Sequence, residues 1–188
     1  MERKRRDKAA TRAALLDAAR LRFARQGYDG TGVRDIAADV GVDPALVFRY
    51  FGSKDDLFEE AVHVEIPESA GGSLTDITAA LLNDVVFADR QEFDGEHPLI
   101  VMLRSSGRAE VRDRLRHDLC EGYLRTFADH FKGAAPDLRA ELVGALLVGI
   151  GVMRSVVASP ALTQAPYEET LPLVQRLVAA LDQPPAHP

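Results

Sequence analysis

The stretch GVDPALVFRYFGSK, residues 41–54, leaves room for a helix of only about two turns between stop signals on either side. Asp43 is placed to cap it, Pro44 suits its first turn because a missing N–H costs nothing there, and Gly52 ends it. Isolated helices are marginal in water even at about 12–15 residues, so one this short must be braced from behind. Its other side is then displayed. At about 100° per residue, Val47, Phe51 and Pro44 share the side that can be braced. Ala45, Leu46 and Arg49 point away, with Phe48 and Tyr50 on the flanks.

The brace is legible upstream. Val33, Ile36, Ala37 and Val40 follow the i, i+3, i+4, i+7 spacing of a buried helical face, and Gly41 stops that helix. Before it, a helix is expected over about Lys8–Gln26, with Leu15, Ala19 and Phe23 on one stripe and Gly27 at its end. Ser53 is expected to cap a fourth helix from about Lys54 to Val64, with Asp55 and Asp56 in its first turn as the helix dipole favours. Pro67 and the Ser-Ala-Gly-Gly-Ser run at 69–73 mark the expected boundary, giving one domain over 1–54, a connecting helix at about 54–65 and a second domain over 66–188. Helices are expected there at about 73–88, 98–107, 110–132, 137–158 and 167–182. Nothing alternates like a strand, so the expected fold class is all-α, and no internal repeat is visible.

Charge separates the two parts. Residues 1–54 carry 12 Lys/Arg against 7 Asp/Glu, a net of +5, whereas residues 55–188 carry 11 against 22, a net of −11. A basic working end on an acidic body follows, although a basic terminus alone also serves solubility. The single cysteine, Cys120, forbids an intramolecular disulfide and suits a reducing, cytoplasmic setting. The longest apolar run, Leu142–Met153, has 12 residues and is too short to span a bilayer. The five histidines are dispersed with no metal-ligand spacing, and no phosphate loop or nucleophile motif occurs, so neither a cofactor nor an enzyme is expected.

A short helix braced across a glycine turn, with small and basic residues projecting, has the geometry of helix-turn-helix recognition in a DNA major groove. Arg49 could bond guanine O6 and N7, while Ala45 and Leu46 could rest on thymine methyls. Tyr50 and Lys54 stand where phosphates would pass, and the exposed amides at the start of the second helix, from Val33, offer a dipole-assisted phosphate site. Arg3, Lys4, Arg5, Arg6 and Lys8 could track the backbone or enter the minor groove.

These residues resemble the tetracycline-repressor (TetR) family of transcriptional regulators. The likeness rests on GYDGTGVRDIAADVGVDPALVFRYFGSKDDLFEEAV, residues 27–62, about a third of the chain with the preceding Ala/Leu-rich helix. It implies an N-terminal three-helix DNA-binding domain with a helix-turn-helix, followed by an all-helical domain for ligand binding and dimerisation. By position, Arg34, Pro44, Ala45, Leu46, Phe48, Arg49, Tyr50 and Lys54 match the family's DNA-contacting places. Two departures stand out. Gly32 occupies a place where relatives commonly carry Thr or Ser, so Thr31 or backbone amides are expected to take over that phosphate contact. Phe48 replaces a common Tyr and can pack on a sugar but cannot donate, which shifts the phosphate clamp toward Tyr50, Lys54 and the basic arm.

In the body, Gly144, Ala145, Gly149 and Gly151 thin a very apolar helix, and Leu171, Val174, Leu177, Val178 and Leu181 line one face of the last. Pattern alone fits an ordinary core equally well. The family resemblance points instead to a dimer interface, with Gly144, Leu147, Gly151, Leu171, Val174 and Val178 as its expected residues and a palindromic operator as the matching DNA. The same resemblance places an apolar pocket for an unidentified small-molecule effector near Phe87, Met102, Tyr123 and Phe127. The expected function is a repressor released from its operator by that effector. An activator, or a small-molecule sensor working through protein contacts, is the alternative.

Overall fold

The computed structural model describes residues 2–63 and 72–183. Eleven α-helices occur among them, and no strand. In order they are α1 (Glu2–Gly30), α2 (Val33–Val40), α3 (Ala45–Phe51), α4 (Lys54–Ala61), α5 (Leu74–Leu82), α6 (Pro98–Arg104), α7 (Ala109–Arg116), α8 (Leu124–Ala128), α9 (Pro136–Ser155), α10 (Pro160–Gln164) and α11 (Tyr167–Asp182). The helix expected from Lys8 begins at Glu2, and Gly27 breaks it with φ 67° before a last turn ends at Gly30.

Two compact units form. The first joins residues 1–64 to 90–108, and the second joins 65–89 to 109–188. A boundary drawn at residue 66 therefore leaves out a return excursion: 90–108 comes back to α1. Leu99, Ile100, Val101 and Met102 in it are all buried, and polar contacts tie the excursion to α1. Arg25 pairs with Asp94 at 2.8 Å, Arg104 donates to the Ala24 carbonyl at 2.7 Å while gripping Glu96, and Ser105 Oγ accepts from the Tyr28 amide at 3.1 Å. Met102 is thus core of the first unit, whereas Phe87 and Phe127 belong to the second. The side chain of Tyr123, the fourth member of the expected pocket set, lies outside the described residues.

The core of the first unit grows from the α1 stripe read in the sequence. Leu15, Ala19 and Phe23 are fully buried, and α1 packs along α4 and α2. Phe23 meets Phe58 edge-on at 4.9 Å and stacks with Tyr28 at 6.1 Å. Ser53 caps α4, its hydroxyl accepting from the Asp56 amide at 3.0 Å. Ser53→Ala is expected to lower stability by about 1 kcal/mol, seen as an earlier midpoint in urea unfolding followed by circular dichroism.

In the second unit the helix expected over 110–132 runs without a break from Ala109 to Ala128, as α7, a π-helical stretch His117–Tyr123 and α8 in succession, and ends four residues early. A similar π-helical turn, Asn83–Phe87, follows α5. The π-helical stretches and α10 carry no sequence signal that marks them off from ordinary helix or loop. Phe87 is half-buried, edge-on to Tyr167 at 5.4 Å and beneath the Arg154 guanidinium at 4.6 Å, while Phe127 is buried edge-on to Phe131 at 5.2 Å.

α9 and α11 are where the sequence reading needs its largest correction. Gly144, Leu147, Gly151, Val174 and Val178 are buried within the chain's own second unit, and Leu171 is half-buried. Gly144 is small because α8 lies against it: a β-carbon there would come within 2.6 Å of Leu124 Cδ2. The faces left open carry Leu138, Leu142 and Met153 on α9, Val156 and Val157 just after it, and Leu173 and Leu177 on α11. The physical reason is that α9 is apolar all round from Leu142 to Met153, so its periodicity there cannot say which side turns inward.

Candidate nucleic-acid interface

The geometry of α3 starts with its turn. Gly41, at φ 71°, closes α2 in the left-handed conformation that a side chain resists, and its amide bonds back to α2 carbonyls. Asp43 then accepts from the Ala45 amide at 2.8 Å, satisfying one of the orphan donors that open α3. Pro44 precedes the helix as its cap, one place earlier than expected. Behind α3, Val47 and Phe51 are buried, with the Arg12 guanidinium 4.7 Å over the Phe51 ring and itself paired with Glu60. α2 contributes buried Ile36 and Ala37, while Val33 and Val40 are half-buried. Arg22 on α1 grips Asp39 on α2 with two bonds of 2.5 and 2.8 Å, and these hydrogen bonds hold the Asp39 carboxyl below its usual range.

The outward face of α3 has Ala45, Phe48 and Arg49 exposed, with Pro44, Leu46 and Tyr50 half-buried. Arg34 on α2 is exposed too. The helical-wheel expectation is met for Ala45 and Arg49, but Phe48, expected on a flank, is 52% exposed and more open than Leu46.

Three phosphate candidates are placed differently from their expectation. Thr31 is buried, and its hydroxyl is spent on the Gly27 carbonyl at 2.8 Å, so it cannot replace the side chain missing at Gly32. Lys54 turns inward: its Nζ donates to the Tyr28 carbonyl at 2.6 Å and lies 4.1 Å from the Tyr28 ring, and burial pushes the ammonium below the ordinary lysine range. Asp35 leans back over the start of α2, with a carboxylate oxygen 2.6 Å from where a Gly32 β-carbon would stand. That carboxylate occupies the positive end of α2 beside Val33, where an incoming phosphate was expected. The side chains of Arg3, Lys4, Arg5 and Arg6 lie outside the described residues, although α1 runs through them.

A cluster absent from the sequence reading surrounds Tyr28. Its hydroxyl donates to Asp55, Arg108 bonds the same carboxylate at 3.1 Å, and the Arg108 guanidinium lies 4.1 Å from the ring. Burial first, and then the Asp55 bond, push the Tyr28 hydroxyl up to about 12. Residues 28, 55 and 108 are far apart in the chain, so no local pattern announces them. Their effect is to fix the ends of α1 and α4 that flank α3. No helix among the described residues is long and apolar enough to cross a membrane, and no group of His, Cys, Asp or Glu among them could hold a metal ion.

Comparison with known proteins agrees with this architecture. A family model described as bacterial regulatory proteins, tetR family, matches residues 15–61, and one described as the tetracyclin repressor-like C-terminal domain matches residues 80–182. The chain is 28% identical over 143 residues to the HTH-type transcriptional repressor AcnR of Corynebacterium jeikeium, covering 63% of this chain and 71% of that one. It is 53% identical over 45 residues to the HTH-type transcriptional repressor Rv3405c of Mycobacterium tuberculosis, a match spanning 24% of each chain. A transcriptional regulator from Saccharomonospora viridis, solved in complex with choline, shares the fold with a TM-score of 0.58 at 16% identity, over 92% of this chain and 95% of that one. With the second family model alone spanning more than half of its length, and a braced α3 at its basic end, the chain belongs to the TetR family of bacterial transcriptional regulators.

Proposed function

We propose that this DNA-binding regulator is a repressor that acts as a homodimer, sets one α3 in each half of a palindromic operator, and lets go when a small molecule occupies its second unit. The observation that carries the reading is the display on α3: a seven-residue helix held by Val47 and Phe51, with Ala45, Phe48 and Arg49 free on the opposite side. Arg49 supplies the bidentate donor for a guanine edge, and Arg34 a second cation on the adjoining helix. Two-fold symmetry in the protein matches two half-sites in the DNA. The apolar side chains open on α9 and α11, chiefly Leu142, Met153, Leu173 and Leu177, support a second copy as their cover.

The choline held by the Saccharomonospora regulator supports a small-molecule role for the second unit, with Phe87 and Phe127 as the aromatic residues this reading assigns to it. Release requires the effector to bind the arrangement that does not fit the operator more tightly than the one that does.

Selection of bound sequences from a random duplex pool tests the reading, and a palindrome should emerge. Arg49→Ala should then cost about 1–3 kcal/mol in operator affinity and relax one base position in each half-site, read by anisotropy against the enriched duplex and its single-base variants. Unchanged affinity and unchanged sequence preference would remove α3 from the role of reader.

A further inference from the structure

Eight large apolar side chains are exposed among the described residues, and seven of them lie on α9, just after it, or on α11. The eighth is Phe48, alone on α3 in the first unit. Its neighbours on the open side are Ala45, which has no polar side-chain atom, and Arg49. The open side of α3 therefore offers a base edge one cationic fork and a larger apolar surface.

We infer that Phe48, with Ala45 beside it, reads thymine methyl groups next to the guanine taken by Arg49, so that specificity rests on C5-methyls as well as on hydrogen bonds. The inference rests on the DNA-reading role proposed for α3. In the major groove the thymine methyl is the apolar feature of the base edges, whereas cytosine and adenine present amino donors and guanine presents acceptors. A phenyl ring over one of those polar groups strips it of water and returns no hydrogen bond, which penalises cytosine at a thymine position. Phosphate is a poor partner for Phe48 because the ring has no donor. Spacing limits where the thymines fall. Ala45 and Arg49 are separated by about 6 Å of helix rise, which is about two base-pair steps, so the methyls read lie within about two base pairs of the guanine.

The test uses the full chain and the duplex enriched from the random pool, synthesised with thymine or with uracil at single positions. Uracil keeps the base pair and lacks only the methyl. Binding is expected to weaken about fourfold for each methyl removed within about two base pairs of the guanine, the effect of uncovering one methyl's worth of apolar surface. Phe48→Ala should weaken binding to the thymine duplex by a similar factor and bind alike the thymine and uracil duplexes that differ at the methyl under the ring, while a methyl under Ala45 is still discriminated. Phe48→Tyr, which keeps the ring, and Arg49→Ala should each still discriminate between them. Equal binding of the two duplexes by the unmodified chain overturns the inference. So does a Phe48→Ala variant that loses affinity and still distinguishes thymine from uracil at every position where the unmodified chain does, since the ring would then be packing on a sugar. A pool from which nothing is enriched overturns the DNA-reading role itself and this inference with it, a result distinct from tight binding that ignores methyls.

Discussion

Replacing Phe23 with alanine should remove about 3–5 kcal/mol of folding stability, a large share of what a domain of this size has. Phe23 is fully buried, and its ring is the hub on which Tyr28 stacks and Phe58 closes edge-on. Truncation loses the transfer energy of the ring and leaves a cavity that α1, α4 and the turn after α1 cannot all collapse into at once. Phe23→Leu, which keeps most of the volume, should cost under about 1.5 kcal/mol. Urea titration followed by circular dichroism reads both. Phe48→Ala is the informative contrast: the same chemical change on an exposed residue should shift stability by no more than about 0.5 kcal/mol. If Phe23→Ala left the urea midpoint where it was, the three-ring cluster would not be the core of the first unit. Because that cluster anchors the helices behind α3, operator binding by Phe23→Ala should also fail at temperatures where Phe48→Ala remains folded.

What could be read from the sequence was local. Asp43 and Ser53 act on amides two and three residues away, Gly41 must take a positive φ to end α2, and Val47 and Phe51 are four apart on a helix too short to have a choice of faces. These features depend on near neighbours, which the chain writes next to one another. Lys54 shows where such reading stops. Its cation suits a phosphate, yet its partner is the carbonyl and ring of Tyr28, 26 residues upstream. Thr31 is lost for a different reason: its partner, the Gly27 carbonyl, is only four residues back, but the bond depends on the extra turn that α1 makes after its break at Gly27. The return of 90–108 to α1 hangs on pairs such as Arg25–Asp94, 69 residues apart, that no composition shift marks. On α9 the difficulty is different. Gly144 and Leu147 look like an interface because they are small or apolar, but so are the residues on the opposite side, and the elements that pack on α9, Leu124 against Gly144 among them, decide which is covered.

That decision makes the strongest prediction about assembly. A chain carrying Leu142→Glu together with Leu177→Glu should be monomeric at concentrations where the unmodified chain is a dimer, with its helix content intact. Both side chains are about half exposed in the single chain, at 47% and 53%, so a charge at either place meets water while the chain is alone. In the proposed dimer each new carboxylate would meet its own copy or another apolar side chain across the two-fold axis, and both arrangements would disfavour pairing. Analytical ultracentrifugation reads the mass directly. The consequence for DNA is sharper than for mass, because linking two half-site contacts raises affinity by about 10²–10⁴ without any new contact. The variant should therefore lose at least about a hundredfold on the enriched palindrome, yet bind a duplex with one half-site about as tightly as it binds the palindrome. A double variant that still sediments as a dimer would move the interface off this face of α9 and α11. Leu147→Glu separates the two faces of α9: it places a charge where the side chain is 3% exposed, so it should unfold the second unit instead of splitting a folded dimer.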